Sequence, residues 1–229
     1  MHKSRLITGN GSGLARAAAE HFAARGAKVA SCGRRAEKIA EVADQIRPNC
    51  HAIRADITEV EDRQRRLHSA LEHGSELDAR IDNAGNMYRQ AIKKIDEQQL
   101  LEVFHRNVIA AMLPSGVAVP APVKTHGCIL FVGASHTRRA FANASAYAAT
   151  KASVQGLTQI LAAELGDRNI RVNCVIPGGV FSQINQRGKP SDIAEAMDCV
   201  INADCTTGAI LDGGLGRGVT PDARLRAEP

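Results

Sequence analysis

The chain has 229 residues, 44% of them hydrophobic, which is ample for one core of α/β size and short for two independent domains. Only 3% are aromatic and none is tryptophan, so the core must be aliphatic and the stacking platforms that bind nucleic acid are missing. The formal charge of +5 arises from Lys and Arg mixed with acids along the whole chain, which suits a phosphorylated small ligand better than a polynucleotide.

In chain order, Leu6-Ile7, the loop Thr8-Gly9-Asn10-Gly11-Ser12-Gly13-Leu14-Ala15 and an alanine-rich run to Arg25 read as strand, glycine turn and helix. Gly26 to Cys32 supplies a second strand and completes a βαβ unit. Glycines at such a turn let the backbone approach a pyrophosphate, and the helix N-terminus offers it free N–H groups. Residue 14 is Leu, so the G-x-G-x-x-G spacing fails, whereas Gly9, Gly13 and Ala15 fit the looser T-G-x-x-x-G-x-G form. An ordinary turn could carry the same glycines. The second strand runs into Gly33-Arg34-Arg35, where an NAD site usually places an acid for the ribose 2′-hydroxyl. Arginine there can clamp a 2′-phosphate with paired donors, Arg34 foremost, which predicts NADP(H) with NAD(H) as the alternative. The other reading is that two arginines open a solvated helix, Arg35 to Ile46.

Cys128–Val132 and Val172–Ile176 are short apolar runs alternating with helical stretches, the pattern of buried parallel strands. Their C-terminal ends carry Ala134-Ser135 and Pro177-Gly178, and ligands of open α/β sheets bind at such ends. Between them, Ala146–Leu165 has helical periodicity, with Val154, Leu157, Ile160, Leu161 and Leu165 on one stripe and Gly166 at its end. Tyr147 and Lys151 stand at i and i+4 on its first turns and share a face. A free phenol titrates near ~10, and a cation within about 4–6 Å lowers an acid's pKa by ~1–3 units. With the helix dipole added, the pair makes Tyr147 a candidate general acid/base. Tyr-x-x-x-Lys also occurs on plain solvated helix faces.

Six cysteines, Cys32, Cys50, Cys128, Cys174, Cys199 and Cys205, show no C-x-x-C spacing and read as buried free thiols of a reducing compartment. The eight histidines form no H-x-x-x-H or H-E-x-x-H pair, so no metal site is expected. Met1-His-Lys leads into an apolar segment without a signal peptide, and no apolar run approaches ~18 residues. A cytoplasmic protein without membrane or nucleic-acid partners is expected.

Glycine loop and Tyr-x-x-x-Lys, in this order and at this separation, resemble those of the short-chain dehydrogenase/reductase family. The likeness runs over residues 5–215. It implies an α/β fold: a single Rossmann-type, doubly wound domain over 1–215 with a mostly or wholly parallel seven-stranded sheet, helices on both faces, and a polar tail, 216–229. Asp56-Ile57 looks like the family's adenine-contacting pair, and Asp82-Asn83-Ala84-Gly85 like its Asn-Asn-Ala-Gly with the first Asn changed. Asn107, in the helical segment Glu97–Leu113, aligns with the asparagine held to anchor a relay water. Pro177-Gly178 follows the sixth strand, Val180 begins the lid segment, Ser182 stands where a threonine contacts the nicotinamide amide, and Thr207–Gly214 resembles the last strand.

Four departures accompany the likeness. Leu77–Asp82, the expected fourth strand, carries Arg80, which must find Asp56, Asp78, Asp82 or solvent because an unpaired buried charge is very costly. The helix bearing Asn107 should stop near Leu113, ahead of Pro114. The lid stretch 180–191 is brief and polar. Ala134 occupies the usual place of a catalytic serine, with Ser135 one residue later; Ser135 can serve only if the chain bulges or turns at Gly133, bringing its hydroxyl within reach of the Tyr147 hydroxyl or of a water shared with it.

The resemblance implies an NADP(H)-dependent enzyme that interconverts a ketone and a secondary alcohol, with Tyr147, Lys151, Asn107 and Ser135 as catalytic residues. A nucleotide sensor of the same fold that has lost turnover is the alternative, favoured by Arg80, Asp82 and Ala134, and a reductase of imines or electron-poor rings stays open. His136, Arg138, Arg139, Phe141, Asn143 and Asn86-Met87-Tyr88 are expected at the substrate pocket. Pairing through segments 97–113 and 146–165 would give a homodimer or homotetramer.

Overall fold

Seven strands form one wholly parallel sheet in the order β3-β2-β1-β4-β5-β6-β7. They are β1 Ser4–Thr8, β2 Lys28–Gly33, β3 Cys50–Arg54, β4 Ala79–Asp82, β5 Cys128–Val132, β6 Arg171–Pro177 and β7 Ile210–Gly213. The computed structural model describes residues 3–11, 13–117, 127–178 and 189–213; Ser12, Val180, Ser182 and the tail 216–229 lie outside them. From β1 the chain winds outward to β3, then crosses to the far side of β1 and continues from β4 to β7. That reversal leaves a crevice at the C-terminal ends of β1 and β4, where doubly wound sheets bind ligands.

Every residue of β1, β4, β5 and β6 is buried, and their side chains alternate between two helical layers. Ile7, Val29, Ile81, Leu130 and Val175 face the layer of α1 (Gly13–Ala24), α2 (Ala36–Gln45) and α7 (Pro190–Asn202). On the other face, Ile129, Phe131, Val172 and Cys174 pack under α6 (Ser145–Leu165) and the start of α5 (Ala110–Val117), while Leu6, Ala30 and Cys32 pack under α3 (Val60–Gly74). Among the described residues no helix is long and apolar enough to cross a membrane.

Three local expectations are corrected. The helix that follows α4 (Glu97–Phe104) does not stop at Leu113: a π-helical turn, His105–Ile109, resets the hydrogen-bond register, and α5 carries Pro114 at its middle and runs to Val117. Ile160 is 59% exposed, because the buried stripe of α6 runs instead through Thr150, Val154, Thr158, Leu161 and Leu165, with Thr158 returning its hydroxyl to Val154 O (2.8 Å). Cys199 and Cys205 are exposed rather than buried.

Arg80 finds its partner two residues along its own strand. Residues i and i+2 of a strand share a face, so Asp82 lies beside it, and Arg80 Nε and Nη2 both reach Asp82 Oδ2, at 2.8 and 2.7 Å. Nη2 also donates to Ala111 O of α5 (3.3 Å). Both side chains are nearly sealed from solvent, at 2% and 5% exposure. The two departures in β4 are therefore one feature, an internal charge pair in a central strand. Removing one member of such a pair typically costs ~3–5 kcal/mol, whereas replacing both with apolar side chains is often neutral. We expect Asp82→Asn to lose about 3 kcal/mol in urea unfolding and Arg80→Met/Asp82→Leu to recover most of it; a neutral Asp82→Asn would refute the pairing as the source of compensation.

Candidate active site

The crevice between β1 and β4 is fastened by one hydroxyl. Thr8 Oγ1 accepts the backbone N–H groups of Asn83 and Ala84, each at 3.1 Å, and Asn83 Nδ2 returns a bond to Thr8 O at 3.2 Å. The loops after the two strands are so close that a Cβ on Gly9, at φ +79, would lie 2.9 Å from Ala84 Cα. Gly13 also holds a positive φ, +63, but has open space around it. Leu14 turns inward against the core of α1. Asn10 is fully buried, gives its backbone N–H to Cys32 O (3.1 Å), and has an amide whose oxygen and nitrogen meet no hydrogen-bond partner.

At the end of β2 the cations take different positions. Arg35 lies across the glycine loop, its Nη2 at 3.0 Å from where a Gly11 Cβ would sit. Arg34 is 58% exposed and stands 3.8 Å from Asp56 Oδ2. Asp56 is engaged in a turn, accepting Thr58 N (3.0 Å) and Thr58 Oγ1 (2.7 Å). Burial works to raise its carboxyl, but the Thr58 bonds, with Arg106 and Arg34, outweigh burial and hold it below the ordinary range. Ile57 is buried. At Gly33 a Cβ would meet Ile39 Cγ2 at 2.9 Å, so a side chain there requires Ile39 to shift. An open glycine turn, an orphaned amide and nearby arginines fit a nicotinamide dinucleotide.

The second half of the site gathers at the ends of β4 and β5. Asn107, in the π-helical turn, accepts Asn86 N (2.9 Å) and donates to Asn86 O (2.9 Å) and to Thr150 Oγ1 (3.1 Å). Thr150 in turn donates to Tyr147 O (2.7 Å), so one buried amide ties the loop after β4 to the first turn of α6. Sequence reasoning missed Thr150; its only signal was a hydroxyl residue between Tyr147 and Lys151. A Cβ on Gly85 would lie 2.9 Å from Asn107 Oδ1 and 3.7 Å from Lys151 Nζ, so both side chains converge on that glycine. Pro177 ends β6 opposite Gly213, and Gly178 follows it.

Lys151 and Tyr147 occupy the expected helix face without the expected coupling. Lys151 is buried and donates to Val132 O of β5 at 2.7 Å. Burial pushes its pKa down to about 8, against a small upward pull from Cys174. Burial also moves the Tyr147 phenol, upward. The anticipated lowering of the tyrosine by the lysine is thus corrected: the ammonium is committed to a strand carbonyl, and desolvation governs the phenol.

The expected bond from Ser135 Oγ to the Tyr147 hydroxyl is absent among the described residues. No bulge forms at Gly133, which continues the ladder by donating to Val175 O (2.8 Å) and packs so closely that its Cβ would lie 3.0 Å from Ile176 Cγ1. The chain stays extended through Ala134, and Ser135 opens a 3₁₀ turn, Ser135–Thr137, that accepts the N–H groups of Arg138 and Arg139. Tyr147 instead meets His136, ring centroids 5.1 Å apart and perpendicular; His136 also lies 4.3 Å from Phe141. A cleft of ≈ 460 Å³ opens there, lined in part by Ala91, Ile92, His136, Phe141, Ala144 and Ala148. Of the residues expected at the pocket, His136, Phe141 and Asn143 line this cleft, and Arg138, Arg139 and Asn86-Met87-Tyr88 do not.

Comparison with known proteins agrees with this geometry. The family profile described as short chain dehydrogenase matches residues 3–192. The "Hydroxynaphthalene reductase-like protein Arp2" of Metarhizium majus is 31% identical over 220 residues, which covers 91% of this chain and 82% of that one. "Carbonyl reductase family member 4" of Danio rerio is 26% identical over 233 residues, 94% and 98% of the two chains. Among solved structures, a 3-ketoacyl-(acyl-carrier-protein) reductase from Brucella melitensis complexed with NADH superimposes with a TM-score of 0.86 at 27% identity, covering 92% of this chain and 96% of that one. The chain belongs to the short-chain dehydrogenase family.

Proposed function

We propose that this chain is an NADP(H)-dependent oxidoreductase that interconverts a small-molecule ketone and a secondary alcohol. The observation that carries it is the convergence of Lys151 and Asn107 on Gly85, with the Tyr147 backbone tied to Asn107 through Thr150, near a cleft and the glycine turn. The names of the similar proteins, all reductases, point the same way. When bound, the dinucleotide supplies or accepts the hydride.

The residues of this chain handle the proton and the positions. Thr8, Gly9, Asn10, Gly11, Gly13, Asn83, Ala84 and Gly85 shape the seat of the dinucleotide, and Arg34 and Arg35 meet its 2′-phosphate. Tyr147 delivers the proton to the nascent alkoxide; a phenol held above its ordinary pKa stays protonated at neutral pH, which suits the reducing direction. Lys151 supplies a buried cation beside Gly85, and Asn107 holds the Gly85-Asn86 backbone against α6. Ser135, in the 3₁₀ turn that follows Ala134, is the candidate for the polarising role, and the serine missing at Ala134 is the one observation that still favours a sensor without turnover. Arg80 and Asp82 no longer do, because they neutralise each other. Leu101, Ile109, Met112 and Leu113 on α4, the π-helical turn and α5, with Ile160 on α6, are 42–59% exposed and support a homodimer or homotetramer through that face. Six free cysteines fit a reducing, cytoplasmic setting.

Tyr147→Phe keeps the ring and removes the proton donor. Turnover of any accepted ketone should fall by ~10²–10⁴-fold while dinucleotide affinity holds; a variant that retains most of its activity refutes the mechanism. In binding titrations NADPH should bind at least about tenfold tighter than NADH, and equal affinities would remove the 2′-phosphate role from Arg34 and Arg35.

Lys151 should show its cost as a pH-dependent stability. Its pKa falls from the ordinary 10.5 to about 8 on folding. Between these values the unfolded chain holds the extra proton, so stability rises as pH climbs from about 8 to about 10.5, and the full penalty, about 3 kcal/mol, applies below pH 8. Lys151→Met removes that penalty but orphans Val132 O, a loss of about 1 kcal/mol. We expect the variant to be inactive yet about 2 kcal/mol more stable at pH 7, with the gain gone near pH 11; chemical denaturation across pH reads this directly.

A further inference from the structure

The cleft beside Tyr147 continues into a second hollow of ≈ 400 Å³, with which it shares Ala91, Lys93 and Asn143. The two differ in character. Alanines, Ile92 and Phe141 dominate the inner cleft, and Ile92 and Phe141 are 77% and 43% exposed, so apolar surface stands uncovered there. Arg89, Lys93 and Lys94 line the outer hollow, and neither hollow has an acidic residue in its wall.

Several other cations of the described surface have carboxylate partners, and these do not. Arg16, Lys38 and Arg34 each stand within ion-pair distance of a carboxylate. Among the described residues Arg89, Lys93 and Lys94 make no ion pair and no side-chain hydrogen bond, and Arg138 and Arg139 on the facing loop are equally unpaired. The acid nearest in sequence, Asp96, is occupied in capping α4, where it accepts Gln99 N at 2.9 Å. The loop that carries them is fixed: Gln90 N donates to Asn143 O (2.8 Å), Asp96 N donates to Tyr88 Oη (3.0 Å), and Ile92–Lys94 form a 3₁₀ turn. Their field reaches inward as well. His136, in the inner cleft, has its pKa pushed down first by burial and then by Arg89. Like charges held together by an ordered loop, with no counter-ion, favour an anionic partner.

Resting on the oxidoreductase reading above, we propose that the substrate is an amphiphilic ketone: its apolar body lies along Ile92 and Phe141, and an anionic group at its far end, a carboxylate or a phosphate monoester, is held by Arg89, Lys93 and Lys94. The cations act at a distance from the reacting carbon, so they govern affinity and leave the chemistry to Tyr147.

The test uses one straight-chain methyl ketone prepared with a terminal carboxylate, as the methyl ester of that acid, and with a terminal phosphate monoester, assayed with NADPH. The anionic forms should exceed the ester by at least about tenfold in kcat/KM, through KM, and the advantage should shrink as salt rises. Whichever anion shows the larger advantage identifies the end group. Arg89→Ala/Lys93→Ala/Lys94→Ala should bring the ratio of acid to ester close to one, and Arg89→Lys/Lys93→Arg/Lys94→Arg should preserve it. Equal kcat/KM for acid and ester in the unmutated protein, or a ratio that survives the alanine variant, overturns the proposal while leaving the oxidoreductase reading intact. If no form is turned over, that reading falls, and calorimetric binding of acid against ester still decides the anion site.

Discussion

A guanidinium and a carboxylate sit inside the sheet of this protein, and neither could be there alone. β4 is flanked by β1 and β5 and covered on both faces, so a single charge on it would have to be left in a medium that solvates it poorly. With Asp82 two residues from Arg80, the strand carries no net charge and can occupy the centre. The chain reversal between β1 and β4, the Thr8 fastening and the Gly9–Ala84 approach all depend on β4 being in that place.

The catalytic half shows the same economy of partners. Asn107 spends its whole amide on Asn86 and Thr150, so it acts first as a strut between two loops that must stay in register. Lys151 is similarly tied, to Val132 O. The site is thus assembled from side chains whose positions are fixed by the backbone of neighbouring strands. Beside the cleft, His136 presents ring nitrogens without a hydrogen-bond partner among the described residues, in edge-to-face contact with Tyr147.

Much of this was legible in the sequence, because parallel strands and amphipathic helices leave strong periodic signals and because the glycine turn and the Tyr147–Lys151 pair are local in spacing. What stayed hidden depended on backbone direction or on long-range packing. Whether Ser135 faces Tyr147 is set by the ladder from Gly133 to Val175, a contact across 42 residues that no local pattern records. The π-helical turn at His105–Ile109 and the continuation of α5 past Pro114 are likewise not revealed by sequence periodicity. Lys151 was correctly placed on the face of Tyr147, but its destination was a strand carbonyl supplied by a different part of the chain. Asp82 stood among the partners that the sequence offered Arg80, and the two-residue period of a strand is what singles it out.

The close approach of Ile39 to Gly33 bears on how this fold can change its taste in dinucleotides. The place where an acid would meet the ribose is crowded by a branched side chain that is itself only 2% exposed, so a side chain at Gly33 needs Ile39 to give way. Exchange of Gly33 alone would therefore wedge α2 away from the sheet before any new hydrogen bond could form. Ile39 must shrink first, at some loss of packing, and the acid can enter only afterwards. The step from glycine to an acid at this position therefore passes through lost packing, set by a helix residue rather than by the loop itself.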